Sequence, residues 1–264
     1  MTDPTREELA SLGVTILPGT DVEELVERFR IWQAITHGFV IDNPMTPATL
    51  DRAVEILGPR PGERAIDIPG GRGELLCRLA ERGVAATGVD ISPWVIRDAA
   101  LRAADRGVAI DLVLGDGKAF PRDGTWDLAT SLGGSWIWNG TQGTLHALRS
   151  LLDQGGRAAL GDLILRDGVD PVALEGVGVP LTRELLEAQV EAAGLTPLAW
   201  IAPDDDAWRA YAESCVGFAR TWTDDRAFTE RAVAFAERGV EEFEAEVASF
   251  EWIVVVMGRQ ADTR

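Results

Sequence analysis

The chain predicts a doubly wound α/β fold built on a mostly parallel sheet of seven strands. Three observations carry this expectation. Apolar, β-rich runs end one after another in an acid or glycine, and helical patterns alternate with them along the first two thirds of the chain. The turn after the first such run, Asp67-Ile68-Pro69-Gly70-Gly71-Arg72-Gly73, passes at once into the helical pattern Glu74-Leu75-Leu76-Cys77-Arg78-Leu79-Ala80. Glycine serves where backbone turns sharply and a ligand must lie against it without a Cβ in the way. A strand, a glycine turn and a helix together form a nucleotide site at the carboxyl end of such a sheet.

The elements follow in order. Residues 21–38 place Val22, Leu25, Phe29, Trp32 and Ile35 at helical spacing. Thr46 caps a second helix with Pro47 in its first turn, and Gly58-Pro59 ends it. Strands near 64–68, 86–91, 110–114, 126–132 and 156–165 alternate with helices near 73–82, 93–106 and 140–152. Ser92-Pro93 starts the middle one of these, serine as N-cap and proline at the first turn. Thr182 caps a helix through Ala193, and residues 195–201 form a further strand. Phe250–Met257 is the most β-rich run and supplies the last strand. Residues 205–247 look helical and lie outside the minimal sheet. The expected organisation over 1–264 is one domain: an N-terminal helical cap (1–45), an α/β core (46–202 and 248–260) and a helical lid insertion (203–247).

The residues that stand out sit at strand ends. Asp67 closes the first core strand, and Asp90 closes the second about 23 residues later, close to the ~20 expected of a ribose-binding carboxylate. Gly115-Asp116-Gly117 follows the third strand, and Leu132-Gly133-Gly134-Ser135-Trp136 the fourth. Taken singly, each acid reads equally as a solvated loop carboxylate. Their succession along the ligand-binding edge points to a site.

With these motifs the chain resembles the class I S-adenosylmethionine-dependent methyltransferases, whose sheet is Rossmann-like. The resemblance rests on residues 67–73, Gly88-Val89-Asp90-Ile91-Ser92, residues 115–117, and Leu151-Leu152-Asp153-Gln154-Gly155-Gly156. It extends to a small-molecule subgroup of bacterial enzymes through Asn43-Pro44-Met45, residues 132–136 and Asp206-Ala207-Trp208-Arg209-Ala210-Tyr211, and so covers roughly residues 21–260. The resemblance implies S-adenosylmethionine as cofactor, with Asp90 at its ribose hydroxyls and Asp116 at its adenine amino group. Backbone at Gly71 and Gly73 then passes close to its methionine portion, with Asp67 fixing that turn or meeting the ammonium. Gly70, Ile91, Gly117 and Leu132 complete the cofactor-binding set, and the last strand inserts antiparallel beside the fifth. Two departures stand out. Pro69 replaces the first glycine of the motif, and Gly161-Asp162-Leu163-Ile164-Leu165 stands where relatives carry Gly-Glu-Pro-Tyr-Trp.

The expected activity is methyl transfer to a small, partly apolar or aromatic molecule. The alternatives are a protein that holds the cofactor without spending its methyl (a cyclase, an isomerase or a non-catalytic partner subunit) and a nicotinamide oxidoreductase. For a general base the sequence offers His37, at a helix end where a cation is also favoured structurally, and Asp162, equally readable as a structural carboxylate. His146 reads as packed or solvated. Nine tryptophans against one tyrosine read either as packing or as an aromatic pocket, with Trp32, Phe39, Trp136, Trp138, Trp208 and Tyr211 as candidate substrate contacts. Asp204-Asp205-Asp206 reads as a dipole-matched helix start, and no metal is expected.

Composition narrows the partners. Forty-three acids against 25 bases give a net charge of −18, which repels nucleic-acid phosphates and anionic membranes. No apolar run approaches the ~20 residues that span a bilayer. The N-terminus lacks a secretory pattern, and Cys77 and Cys215 have neither pairing nor ligand spacing, so a reducing cytoplasm is expected. A homodimer is left open.

Overall fold

In a computed structural model of the protein, residues 2–122, 125–169, 181–202, 205–222 and 225–260 are described. Among them, β1 (Thr15–Ile16), β2 (Arg64–Asp67), β3 (Ala85–Asp90), β4 (Asp111–Leu114), β5 (Trp126–Leu132), β6 (Leu152–Leu165), β7 (Leu195–Ile201) and β8 (Phe250–Arg259) form one sheet. Their order is β1-β4-β3-β2-β5-β6-β8-β7. The strand beyond the seven expected is β1, two residues that extend the edge beside β4 and are too short to leave a pattern in the sequence. Strand β8 runs antiparallel between β6 and β7, as the resemblance implies.

The chain steps outward from β2 to β3 and β4, then returns to place β5 on the other side of β2. Strand order therefore reverses between β2 and β5, and ligands of such sheets bind outside the carboxyl ends at this reversal.

The helices are α1 (Arg6–Ser11), α2 (Val22–Thr36), α3 (Pro47–Leu57), α4 (Glu74–Ala80), α5 (Pro93–Asp105), α6 (Thr141–Leu151), α7 (Arg183–Ala192), α8 (Asp205–Thr221) and α9 (Arg226–Glu246). Local chemistry sets their starts. Asp21, Thr46 and Thr182 accept amide hydrogen bonds from Glu24, Thr49 and Leu185, and Pro47 occupies the first turn of α3. Residues 205–247 divide into α8 and α9, and no helix among the described residues is long and apolar enough to cross a membrane.

Alternation along the strands supplies two cores. In β8, Val254 and Val256 face the layer of α2–α5, while Ile253, Val255 and Met257 face the layer of α6 and α7. Trp94 of α5 is fully buried, and its indole N–H donates to Val26 O at 2.9 Å. Burying one such large side chain contributes about 1.5–3 kcal/mol. Helices α8 and α9 join this first core through Cys215, Ala219, Trp222, Phe228, Ala232 and Ala236. Trp222 meets Trp94 edge-on at 5.8 Å.

Candidate active site

The carboxyl ends of β2, β3 and β5 meet the segment between α2 and α3 around a cleft of about 340 Å³. Its floor is the glycine loop. Gly73 has φ +75°, and a Cβ there would lie 2.9 Å from Ala99 Cβ, so only glycine lets α4 start this close to α5. Gly71 has φ +51°, and a Cβ on it would meet no atom within 4 Å; it borders the open cleft. A Cβ on Gly70 would stand 3.0 Å from Gly88 Cα, so two glycines let the loop lie against β3.

Asp90 organises this loop. One carboxylate oxygen accepts the Gly71 N–H at 3.0 Å and the other the Ser92 N–H at 2.9 Å. The Ser92 side chain makes no cap hydrogen bond of its own; Asp90 instead holds the Ser92 backbone at the start of α5. Burial raises the Asp90 pKa, and the two amides act against that rise. Asp67 is also buried and accepts the Thr130 hydroxyl at 2.6 Å. Burial pushes its carboxyl up to about 7, with Thr130 opposing and Asp90 reinforcing the rise.

Sequence reasoning missed a second organiser, Arg72. Its side chain is 1% exposed and pairs with Asp42 at 3.0 Å and with Asp98 of α5. It also donates to Gln33 Oε1 at 3.0 Å and Thr36 Oγ1 at 2.9 Å, both on α2. One guanidinium thus ties the cap to the glycine loop. Asp42 borders the cleft, and its carboxyl is pushed up to about 6, burial outweighing the opposing Arg72 charge. The next residue, Asn43, donates to Leu132 O at 3.1 Å and holds the loop after β5. An arginine inside a glycine turn was the available signal for this hub; for Asp42 a single sequence carried none.

Of the expected cofactor residues, Asp67, Gly70, Gly71, Gly73, Asp90, Ile91 and Leu132 line the cleft. Asp116 lines a neighbouring groove of about 230 Å³ that shares Ile91 with it. Leu17, Thr20 and Leu25, none of them anticipated, wall this groove. Gly117 lines neither; a Cβ on it would lie 2.6 Å from Ile68 Cγ2, so it serves packing.

The two expected bases do not reach the cleft. His37 closes α2, with Nδ1 3.1 Å from Ala34 O and its ring between Phe218 and Trp222, on a shallow outer groove. Asp162 accepts the Thr141 hydroxyl at 2.8 Å, at the first residue of α6, and its own Leu163 N–H at 2.9 Å. It is occupied as a structural acceptor.

Among the aromatics, only Trp32 and Trp136 of the expected substrate contacts line the cleft. Phe39 stacks on Tyr211 at 4.5 Å, Trp208 packs edge-on against Phe243 at 5.2 Å, and Trp138 is buried in the second core. The apolar faces of α8 and α9 are consumed in packing on each other and on α2, so the described residues of this hairpin contribute nothing to the cleft lining. The cap side of the wall comes instead from Phe29, Trp32 and residues 40–43. Asp205 pairs with Arg166, and Asp204 lies outside the described residues.

Comparison with known proteins agrees with this geometry. Residues 65–156 match a family model described as a methyltransferase domain. The uncharacterized protein YjhP of Escherichia coli is 28% identical over 151 residues, 56% of each chain. Nocamycin O-methyltransferase of Saccharothrix syringae is 29% identical over 205 residues, 65% of this chain and 72% of that one. The match to the E. coli relative thus spans little more than half of its length. A methyltransferase from Geobacter sulfurreducens, solved with S-adenosyl-L-homocysteine, superposes with a TM-score of 0.76 at 26% identity, covering 86% of this chain and 97% of that one. Residues 65–156 thus carry a methyltransferase domain, and the chain is similar in fold to solved S-adenosylmethionine-dependent methyltransferases.

Proposed function

We propose that the protein transfers the methyl group of S-adenosylmethionine to a small, partly apolar molecule. The observation that carries this is the placement of the Asp116 groove beside the glycine-floored cleft, with Ile91 lining both. Side by side, they offer room for a nucleoside base next to room for its amino-acid tail. The residues present fit the group. Asp116 and Leu17 border room for a base, and Asp90 stands at the junction where a ribose would lie. Gly70, Gly71 and Gly73 leave backbone bare beneath the tail, with Asp67 below. Phe29, Trp32 and residues 40–43 of the N-terminal segment border the cleft.

When bound, the cofactor supplies an electrophilic methyl carbon on a sulfonium. The protein's part is to hold donor and acceptor in line at near-attack distance, which can provide much of the rate enhancement. Asp90 fixes Gly71 and thereby the height of the loop, while Asn43 fixes Leu132 and thereby the loop bearing Trp136. An acceptor seated against the apolar wall of Trp32, Val40 and Trp136 would displace water from the reacting centre, which strengthens the electrostatics inside.

Calorimetry with S-adenosylmethionine and with a nicotinamide dinucleotide tests the donor. Micromolar binding of the former alone is expected, and the reverse result refutes the proposal. Asp90→Ala should weaken cofactor binding by about 1–3 kcal/mol through loss of a charged acceptor. Release of S-adenosylhomocysteine in a screen of small amines, thiols, phenols and carboxylates then separates methyl transfer from chemistry that leaves the cofactor intact.

A further inference from the structure

Three of the six large apolar side chains exposed among the described residues, Trp32, Val40 and Trp136, line this one cleft, at 41%, 47% and 60% exposure. Solvent-facing indoles gathered at a concave site mark a surface that binds flat apolar molecules. The charged groups on the same lining are unequal in sign. Asp42, Asp67, Glu74 and Asp90 are acids, and the single base is Arg72. That guanidinium is buried and already engaged by Asp42, Asp98, Gln33 and Thr36. Glu74 is likewise matched, by Arg78, Arg102 and Arg106. An anion entering the cleft would find the carboxyl groups of Asp42, Asp67 and Asp90 and a buried cation whose charge is already matched by two carboxylates.

We propose that the methyl acceptor is an uncharged, ring-bearing apolar molecule seated against Trp32 and Trp136, and that the cleft discriminates against its anionic counterpart. This rests on the methyltransferase reading and narrows it: phenols and amines in their neutral forms qualify, and free carboxylates do not. The discrimination has a physical source in the pairing of Arg72. Moving an anion out of water without a partner carries a large desolvation cost, and the neighbouring acids add repulsion. Asp42 is the residue that sets the balance, since it borders the cleft and accepts from Arg72 Nε; without its charge the guanidinium would be matched by Asp98 alone.

Two dyes with the same ring system test this without knowledge of the substrate: neutral N-phenyl-1-naphthylamine and anionic 8-anilino-1-naphthalenesulfonate. Each is titrated, by fluorescence, into the protein loaded with S-adenosylhomocysteine and into the protein loaded with sinefungin, whose amine stands in for the sulfonium charge. The neutral dye should saturate at one site and bind about tenfold or more tighter than the sulfonate in both forms. Trp136→Ala, at an exposed position that spares the core, should weaken the neutral dye about fivefold or more. Asp42→Asn, checked for an intact thermal transition, should narrow the gap between the dyes. Equal or tighter binding of the sulfonate, no saturable neutral binding, or a gap untouched by Asp42→Asn overturns the proposal. Absence of S-adenosylmethionine binding in calorimetry would instead overturn the methyltransferase reading, while dye binding to the unloaded protein still reports on the cleft.

Discussion

Arg72 and Asp67 show how single side chains at this site trade solvation for position. Arg72 is buried with two carboxylates and two neutral acceptors, so its removal leaves Asp42 without its cation in a desolvated place and Asp98 with Arg97 alone, at 3.9 Å. Arg72→Met should therefore cost about 3–5 kcal/mol in a urea titration, the range for breaking a buried pair from one side. Arg72→Lys should not restore it, because a single ammonium cannot span partners on α2, on α5 and at Asp42. Asp67 works through protons. Its carboxyl titrates at about 7 in the folded chain against an ordinary value of 3.8, so between those two pH values the folded state holds the proton more tightly. Stability conferred by this group therefore falls as pH rises through the window, and the full penalty stands above about 7. The ligand-free Asp67→Asn variant should lose less stability than the parent between pH 5 and pH 8. Urea midpoints at the two pH values decide it, and parallel changes in both proteins would remove Asp67 as the source.

The loops that frame the cleft are held by mutual contact more than by their own geometry. A Cβ on Gly134 would lie 2.2 Å from Pro69 Cδ and 2.9 Å from Ser131 Oγ, so the loop after β5 and the glycine loop press together at a proline ring that cannot rotate away. This gives a role to Pro69, the residue that departs from the family's glycine motif: its ring fills the space that Gly134 leaves. Gly134→Ala should destabilise the protein by about 1–3 kcal/mol by overpacking and should weaken cofactor binding as well, since one of the two loops has to retreat. Thermal unfolding with and without S-adenosylhomocysteine reads both effects. An unaltered ligand-induced shift would show that the loops move independently.

In the molecule as a whole, the cap is built as part of the core. Helices α8 and α9 share one apolar cluster with α2–α5 and one face of the sheet, and the Arg72 hub adds polar ties between α2 and the glycine loop. Deleting residues 205–247 should therefore not yield a folded, lidless enzyme. It uncovers Trp94 and the apolar face of α2, and the expected product is an aggregating or partly folded chain by far-ultraviolet circular dichroism and size exclusion. A soluble truncation with a cooperative transition would show that the hairpin is a separable lid.

The alternation of strands and helices, the glycine turn and the acids at three strand ends were legible in the residues because each is a local matter. Periodicity, caps and turn chemistry act over a few positions, and the parallel sheet follows once they alternate. Asp67, Asp90 and Asp116 sit on the sheet edge that their strands dictate. The assignments that depended on which distant surfaces meet came out differently. His37, Phe39, Tyr211 and Trp208 look like site residues in sequence, yet contacts within the α8–α9 hairpin and between it and the segment after α2 occupy them away from the cleft. Asn43 and Arg72 lie inside motifs already visible and Asp42 one residue before one, but their partners are 26 to 89 positions away. Local pattern determines what an element is, because its energetics are short-ranged along the chain. Which side chains share a cleft, and which charge is neutralised there, is decided only when long-range packing removes water from some of them and leaves it on others.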